Sequence, residues 1–547
     1  MPPSKLNSSL IQLHHLKHLD LSMNNFNDSP IPDFIGSFAN LEYLNLSNAG
    51  FSGAIPHTFG NLSCLHYLDL SSNYNLQSND LRWLSRMTSL HYLDLSGGNL
   101  FKVDGWLHDI NSVLSSLRVL KLSSAKLQVG GIYATTNPPH YLNFTSLRVL
   151  DLSGNDLLEI TLLQWLFNLT SLVHLDLSGC ALYGKLPVTV GNLNSLRVLC
   201  LFNNYVGGVI PESLGNLGSL ENLDLSYNEL NGRIPDSLSN LTNLVYFDLS
   251  NNMIGKLSES IGRLQKLVEF HLSNNQIQGL MPASIGDLRN LQYLDLSQNM
   301  ISGAIPESFG NLTVLQHFNG AENYVSGKLP ETIGNLVHLQ DLDLSQNAIS
   351  GKLPESFGNL SQLQYLSMQG NGITGGLPEH VGKLSSLLEL DLCNNNINRT
   401  LPKGMGNLCK QHPLHGFGYL SSLFLAMFSI YQITIWRRLP TLKNYTFHRI
   451  DLSSNRFEGP LPELDPSFLL VIYLNNNSFS GSIPSYFANA TYIQVFSVSV
   501  NHINGSIPSF FCNLTTLKLL DISNNDMSGG LPNCWNSASA LEIINFI

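Results

Sequence analysis

The stretch LQYLDLSQN, residues 291–299, decides how this chain folds, because close variants of it return along almost the whole sequence. LENLDLSYN stands at 220–228 and LQDLDLSQN at 339–347, and the usual spacing between such stretches is 24 residues. A period of this length is typical of stacked supersecondary units, none of which buries its apolar face alone. The sequence therefore predicts a solenoid rather than a set of separate globular domains.

Each repeat combines a strand with a turn. Leu-x-Leu alternates with period two, which predicts a short strand with one buried face. With the second leucine as a marker (Leu294 in the stretch above), 21 repeats are recognisable, the last of them cut short. A Gly-x-Ile-Pro turn follows, as at 303–306. We expect an α/β solenoid with a parallel concave β-sheet and short helical or 3-10 turns on the convex side.

An asparagine stands five residues after the marker in sixteen of the twenty complete repeats. A buried polar side chain has to be hydrogen-bonded, and an amide offers both donors and an acceptor. We therefore expect these asparagines to bridge neighbouring turns as a ladder, which is a structural role.

Composition narrows the classes of function. The chain has 547 residues, 43% of them hydrophobic and 12% charged, and its formal net charge is −11. The acidic balance argues against a nucleic-acid partner, which requires a basic surface.

Seven cysteines in so long a chain do not make a disulfide scaffold. Cys512 and Cys534 lie in consecutive repeats at nearly matching phase, so we expect a disulfide there, with two unpaired thiols as the alternative.

Fifteen Asn-x-Ser/Thr sequons occur, several of them at one phase of the repeat. Their placement on one outward edge is typical of a glycosylated, secreted protein. The asparagines expected to carry glycans are Asn61, Asn143, Asn168, Asn240, Asn311, Asn359, Asn444, Asn489 and Asn513.

At both ends of the chain, the sequence shows no unit of the kind that caps a solenoid. No apolar stretch typical of a signal peptide precedes the first repeat, and the last repeat is truncated. Since solenoids need capping units, we expect the chain to be incomplete at both ends. Membrane attachment would then come from a segment that this chain lacks.

One gap interrupts the period. Repeats are expected over 1–400 (about 16) and 448–547 (about five), with a degenerate repeat or an island over 401–447. A strand over 420–425 would supply the missing repeat. The uncharged run 416–436 is long enough for a membrane span. However, sequons lie on both sides of it, and a span would place one set in the cytosol.

The full pattern Leu-x-x-Leu-x-Leu-x-x-Asn-x-Leu-x-Gly-x-Ile-Pro resembles the plant-specific class of leucine-rich repeats over nearly the whole chain. The segments DLRWL (80–84) and GWL (105–107), with CNL (512–514) and LPNCW (531–535), resemble plant receptor-like proteins related to the xylanase-elicitor receptors. The resemblance implies a ligand-recognition ectodomain at the plasma membrane, on its extracellular side. It also implies defence signalling through a partner receptor kinase.

The prediction of a ligand-binding surface rests on the residues at exposed positions of the strands. Aspartate follows the marker in twelve repeats, which is either repeat consensus or an acidic strip that attracts a basic peptide or protein. Tyrosine, favoured at interfaces, precedes the marker at Tyr43, Tyr67 and Tyr92 and again further on. The residues predicted to contact a peptide, protein or elicitor ligand are Phe202, Asp224, Tyr246, Asp248, Glu269, His271, Tyr293, Asp295, His317 and Asn319.

Signals for catalysis are weak, and we predict a non-enzyme without cofactor or metal. GNGITG at 370–375 matches a dinucleotide-binding pattern but runs into a Gly-x-Leu-Pro turn instead of a helix.

Three alternatives to the receptor-like protein stay open. They are a secreted inhibitor of a microbial wall-degrading enzyme, the ectodomain of a receptor kinase, and a truncated product that does not fold.

Overall fold

The computed structural model describes residues 6, 8–103, 106–113, 115–127, 144–157, 166–403, 405, 448–535 and 540–546. The chain divides into two compact units, Met1–Ile301 and Ser302–Ile547.

In the first unit the Leu-x-Leu segments form one parallel sheet, the main sheet, in which each strand pairs with the strand one repeat later. Marker residues such as Leu44 and Leu223 are fully buried, while the residues beside them are mostly only partly buried. The main strands are His18–Asp20, Tyr43–Asn45, Tyr67–Asp69, Tyr92–Asp94, Val119–Lys121, Val149–Asp151, His174–Asp176, Val198–Cys200, Asn222–Asp224, Tyr246–Asp248, Glu269–His271 and Tyr293–Asp295.

The second unit repeats this arrangement. Its main strands are His317–Asn319, Asp341–Asp343, Tyr365–Ser367, Glu389–Asp391, His448–Asp451, Leu469–Tyr473, Val495–Ser497, Leu519–Asp521 and Ile543–Asn545. Glu389–Asp391 pairs directly with His448–Asp451, Leu390 lying opposite Ile450. These two strands are therefore neighbours in the sheet, although a long segment separates them in sequence. The expected strand at 420–425 and the run 416–436 lie outside the described residues.

A second row of short parallel strands, the side strands, follows the asparagine of the repeats. They are Ser29–Pro30, Phe51–Ala54, Asn75–Gln77, Tyr183–Lys185, Tyr205–Val209, Glu229–Arg233, Met253–Lys256, Gln278–Leu280, Met300–Gly303, Tyr324–Gly327, Ala348–Gly351, Gly372–Gly375, Asn396–Arg399, Arg456–Gly459, Ser478–Gly481, His502–Gly505 and Asp526–Met527.

Short 3-10 helices complete the repeats. Most of them begin after a proline such as Pro211, whose φ of −70° suits the start of a helical turn. They are Ser8–Gln12, Asp33–Ser37, His57–Asn61, Arg82–Arg86, Val188–Asn192, Glu212–Asn216, Asp236–Asn240, Glu259–Arg263, Ala283–Asp287, Glu307–Asn311, Glu331–Asn335, Glu355–Asn359, Glu379–Lys383, Pro466–Phe468, Ser485–Asn489 and Ser509–Asn513. One α-helix, Trp106–Val113, lies among the described residues. Parallel strands and 3-10 turns confirm the predicted class of solenoid.

The predicted asparagine ladder is present. Asn252 donates from Nδ2 to the carbonyl oxygens of Leu225, Leu249 and Ser250 at 3.0, 3.1 and 3.2 Å. Its Oδ1 accepts a hydrogen bond from the backbone N–H of Leu230 at 2.9 Å. One amide thereby satisfies backbone groups in two successive repeats, which explains why the position is so often asparagine.

The predicted disulfide and most of the predicted glycan-carrying asparagines lie in the described part of the chain. A disulfide joins Cys512 and Cys534, whose Cα atoms are 5.6 Å apart. Among the predicted glycan carriers, seven are described and all seven are exposed: Asn61, Asn168, Asn240, Asn311, Asn359, Asn489 and Asn513. Asn143 and Asn444 lie outside the described residues. Within the described part of the chain, no helix has both the length and the apolarity needed to cross a bilayer.

Candidate functional site

The candidate ligand-binding residues of the first unit come from consecutive main strands. Pairing places Asn222, Tyr246, Glu269 and Tyr293 in one row across the sheet. A second row, on the other side of the buried markers, consists of Asp224, Asp248, His271 and Asp295. We call the residues of these two rows the sheet cluster. Their backbone is fixed because the marker residues between them, including Phe247 and Phe270, are fully buried.

His271 is the centre of the sheet cluster. Its ring centroid lies 5.4 Å from that of Tyr246 and 4.6 Å from that of Tyr293, with interplanar angles of 40° and 30°. Its Nε2 is 3.4 Å from a carboxylate oxygen of Glu269, and the side chain is only 19% exposed. An imidazole between two phenol rings gives a semi-rigid aromatic surface, of the kind that buries ligand area at low entropic cost.

Carboxylates surround this imidazole. Burial by itself lowers the pKa of His271, but the hydrogen bond to Glu269 and the charges of Asp248 and Asp295 outweigh it and raise the pKa. Burial raises the pKa of Asp224, helped by the charge of Asp248. Burial and the nearby aspartates likewise raise the pKa of the Tyr246 phenol. The sheet cluster contains four carboxyl groups, those of Asp224, Asp248, Glu269 and Asp295, and one imidazole.

The aspartates also have a structural role, which was the blander of the two sequence interpretations. Oδ1 of Asp248 accepts a hydrogen bond from the backbone N–H of Ser250 at 2.7 Å, and Asp295 binds that of Ser297 at 3.0 Å. The same bond recurs at other repeats, for instance from Ser71 to Asp69. In each of these aspartates, one carboxylate oxygen thus accepts a hydrogen bond from the backbone of the turn. In Asp248 the other oxygen accepts from the Tyr246 hydroxyl at 3.1 Å.

Phe202 lies beside the sheet cluster rather than in it. It follows the strand Val198–Cys200 and is 39% exposed. Its ring meets that of Tyr227 edge-on, with centroids 5.4 Å apart. Tyr205 is also exposed and pairs directly with Tyr183 on the neighbouring side strand. Sequence reasoning missed these tyrosines, although each stands at a turn or side-strand position that is polar in many other repeats.

The two remaining candidates belong to the second unit and form contacts of their own. Nδ1 of His317 lies 2.5 Å from a carboxylate oxygen of Asp341 on the next strand. The side-chain oxygen of Asn319 accepts from the backbone N–H of Ala321 at 3.1 Å. Both of these hydrogen bonds join residues of the second unit.

A separate aromatic column occupies the start of the first unit. His18, Tyr43, Tyr67 and Tyr92 stack in succession, with centroid distances of 4.0, 4.3 and 4.2 Å. The strand register aligns the three tyrosines, each of which precedes its marker. Because each ring face is covered by the next ring, the column presents mainly ring edges and hydroxyl groups.

One group of potential metal ligands occurs among the described residues: Asp391, Cys393 and Asp451, all buried. Positive charge at this place comes from Arg449, whose guanidinium lies 2.6 Å from Glu389 and 3.6 Å from Asp451. The guanidinium of Arg449 supplies, beside these carboxylates, the positive charge that a bound metal ion would otherwise supply. We therefore interpret the cluster as a structural ion-pair network.

Comparison with known proteins gives the family. The profile described as "Leucine-rich repeat region" matches residues 132–246, 223–326 and 320–417, and shorter leucine-rich repeat profiles match 12–29, 39–101, 468–490 and 516–538. Receptor-like protein EIX1 of Solanum lycopersicum is 42% identical over 201 residues, which is 37% of this chain and 19% of that protein. Receptor-like protein EIX2 of the same species is 36% identical over 204 residues, 37% of this chain and 19% of that protein. The chain thus matches about a fifth of the length of these relatives.

Solved structures agree with the sequence relatives. The ectodomain of the Arabidopsis receptor kinase HAESA, in complex with an N-terminally extended IDA peptide hormone, superposes with a TM-score of 0.78 and 30% identity. The match covers 98% of this chain and 83% of that one. A second HAESA structure, with IDA and the co-receptor SERK1, gives a TM-score of 0.75 at 25% identity, covering 100% of this chain and 80% of that one. The chain therefore belongs to the leucine-rich repeat family, and over 201 to 204 of its residues it is similar to plant receptor-like proteins.

Proposed function

We propose that this chain is the ligand-recognition part of a plant cell-surface receptor and that it binds an extracellular peptide carrying basic side chains. The observation that carries the proposal is the sheet cluster. His271 lies between Tyr246 and Tyr293, and acidic side chains flank it on both rows. An extended peptide laid across these strands would meet aromatic area and negative charge together.

Two features support a peptide over a small molecule. The sheet cluster is an open surface of successive strands rather than an enclosed cavity, and enclosed cavities are what small ligands prefer. The HAESA ectodomain resembles this chain over 98% of this chain's length, and its structure was solved with a peptide hormone bound.

The signalling part of the proposal rests on relatives. The sequence relatives are receptor-like proteins, and the second HAESA structure contains the co-receptor SERK1. We propose that the ectodomain faces the outside of the plasma membrane, carries N-linked glycans and acts in defence through a partner receptor kinase. It does so by binding alone, without catalysis.

Selection of peptides on the secreted full chain tests the proposal. A display library of twelve-residue peptides is expected to yield binders rich in lysine and arginine. Their affinity is expected to fall with rising salt, because exposed charges are screened. The triple variant Asp224→Asn, Asp248→Asn, Glu269→Gln removes three charges but keeps oxygens that can accept the turn hydrogen bonds. We expect it to bind the selected peptides about tenfold more weakly.

A matched control lies in the second unit. Asp521 occupies the same position after its marker and binds the N–H of Ser523 at 3.2 Å. Asp521→Asn is expected to leave the affinity unchanged. Peptides without basic residues, or equal binding by the triple variant and the wild type, would refute the sheet cluster as the site.

A further inference from the structure

A cavity of about 340 Å³ opens in the first unit, between the 3-10 helix His57–Asn61 and the next one, Arg82–Arg86. It lies at the helical turns of the repeats, and the sheet cluster contributes no residue to its lining. Its volume falls in the range of ligand sites. The side chains that line it include those of His57, Asn61, Asp80, Arg82, Trp83 and Arg86.

Trp83 contributes little surface to the cavity, because only 4% of the residue is exposed. Its Nε1 is buried without a hydrogen-bond partner among the described residues, so this donor is not accessible to a ligand in the cavity. The polar groups open to a ligand are therefore those of the other lining residues.

The lining offers charged groups of both signs, Asp80 together with Arg82 and Arg86. A guanidinium nitrogen of Arg82 lies 2.8 Å from a carboxylate oxygen of Asp80. The hydrogen bond from Arg82 lowers the pKa of Asp80, which therefore stays ionised and largely offsets Arg82. An anion would meet this carboxylate, whereas a ligand with several hydroxyl groups and an amide can use donors and acceptors together. A sugar bearing an acetamido group has this chemistry.

Asn61 supplies such a sugar with a point of attachment. It is the last residue of its 3-10 helix, it is exposed, it lines the cavity, and it begins the sequon Asn61-Leu62-Ser63. We infer that the cavity is a socket for the first N-acetylglucosamine of an N-glycan on Asn61, a step that rests on the proposed passage through the secretory pathway. The amide nitrogen bonds to the anomeric carbon of a lipid-diphosphate-linked oligosaccharide, the lipid diphosphate leaves, and the amide loses one proton.

Other sequons have different surroundings. Asn240 also ends a 3-10 helix in the first unit and is exposed. In the helix that follows it, Glu259 and Ser260 take the places that Arg82 and Trp83 hold beside Asn61. The two sites therefore differ at Arg82 and Trp83 against Glu259 and Ser260, whereas the last residue of both helices is arginine, Arg86 and Arg263. Asn240 is thus a matched control within the same unit.

The first experiment measures how accessible each glycan is. The full chain, fused to a signal peptide, is secreted from a mammalian cell line, and site occupancy is read by mass spectrometry of glycopeptides. Peptide N-glycosidase then acts on the native protein. We expect release from Asn61 to be at least about tenfold slower than from Asn240, because the enzyme must reach the bond between asparagine and sugar. Arg86→Ala, at an exposed residue of the socket, is expected to speed release at Asn61 and leave Asn240 unchanged.

Each outcome has a distinct meaning. Equal release from the two sites, or no effect of Arg86→Ala, overturns the socket. An unoccupied Asn61 beside other occupied sequons overturns the socket and leaves the receptor proposal standing. A secreted chain with no occupied sequon overturns the proposed glycoprotein as well.

A second measurement uses stability. Ser63→Ala removes the sequon while retaining Asn61, and Thr242→Ala does the same for Asn240. Ser63 and Thr242 are both exposed. We expect Ser63→Ala to lower the melting temperature by about 2 °C or more relative to Thr242→Ala, since only the first loses packed sugar. Equal melting temperatures overturn the inference.

Discussion

At the scale of single residues, Asp391 is a buried aspartate that directly follows its marker, Leu390. Burial and the neighbouring charge of Asp451 raise the pKa of Asp391 to about 6, against the opposing effect of Arg449. A carboxyl whose pKa is raised in the folded state favours folding in its protonated form. Its contribution is therefore present below the unfolded pKa of 3.8 and is lost as the pH rises through about 6.

Asp391→Asn tests this prediction. The amide keeps an oxygen for the backbone N–H of Cys393, which lies 3.1 Å from Oδ1 of Asp391. We expect the variant to gain up to about 3 kcal/mol in unfolding free energy at pH 8 relative to the same substitution at pH 4. Urea unfolding at the two pH values measures the difference, and Asp521→Asn corrects for the general effect of the substitution. A gain of equal size at both pH values would contradict the assigned cause.

At the scale of elements, the fourth residue of many 3-10 helices is a glycine because the next repeat lies against it. A Cβ atom built on Gly215 would lie 2.3 Å from the carbonyl oxygen of Ser237 in the following helix. A side chain there has to push two repeats apart. Ser239, Ala488 and Cys512 occupy the equivalent position in other helices, so some repeats accept a side chain there.

Gly215→Ala is expected to destabilise the first unit by about 1–3 kcal/mol through this overpacking. Gly218 is the matched control, since a Cβ there meets nothing within 4 Å. Urea unfolding followed by fluorescence compares the two variants. If Gly218→Ala were as destabilising as Gly215→Ala, the contact with Ser237 would not be the reason for glycine.

At the scale of the whole molecule, the direct pairing of Leu390 with Ile450 changes the interpretation of the interrupted region. Without residues 409–444, the two markers would stand 24 residues apart, the usual spacing. The joined sequence GNL-YTFHRIDL would then restore the pattern of one ordinary repeat. We therefore expect 409–444 to be an insertion within a single repeat, since the strands on either side of it already pair.

Deletion of 409–444 tests the insertion. The shortened chain is expected to be secreted and to melt within about 2 °C of the full chain, because the strands of Leu390 and Ile450 pair directly with each other. Deletion of 337–348, which removes half a repeat and breaks the 24-residue register, is expected to prevent cooperative melting of the second unit. Loss of folding in both deletions would show that 409–444 is needed for the solenoid.

Most of the fold was predictable from the sequence, because each repeat is specified locally. Alternating leucines, the Gly-x-Ile-Pro turn and the ladder asparagine act within one 24-residue unit or between adjacent units. The spacing of Cys512 and Cys534 likewise indicated their disulfide, because both lie at nearly the same phase of consecutive repeats.

Tertiary structure decided which side chains meet across repeats. Strand register places His271 between Tyr246 and Tyr293, and the turn geometry brings Tyr227 against Phe202. The cavity beside Asn61 depends on Trp83 and Arg86 in the following helical turn, and the pairing across the long interruption depends on strands 60 residues apart. The period determines where in its repeat a residue lies. Whether the residue contacts one in the next repeat depends on how the two turns pack, and the side chains of both turns determine this packing.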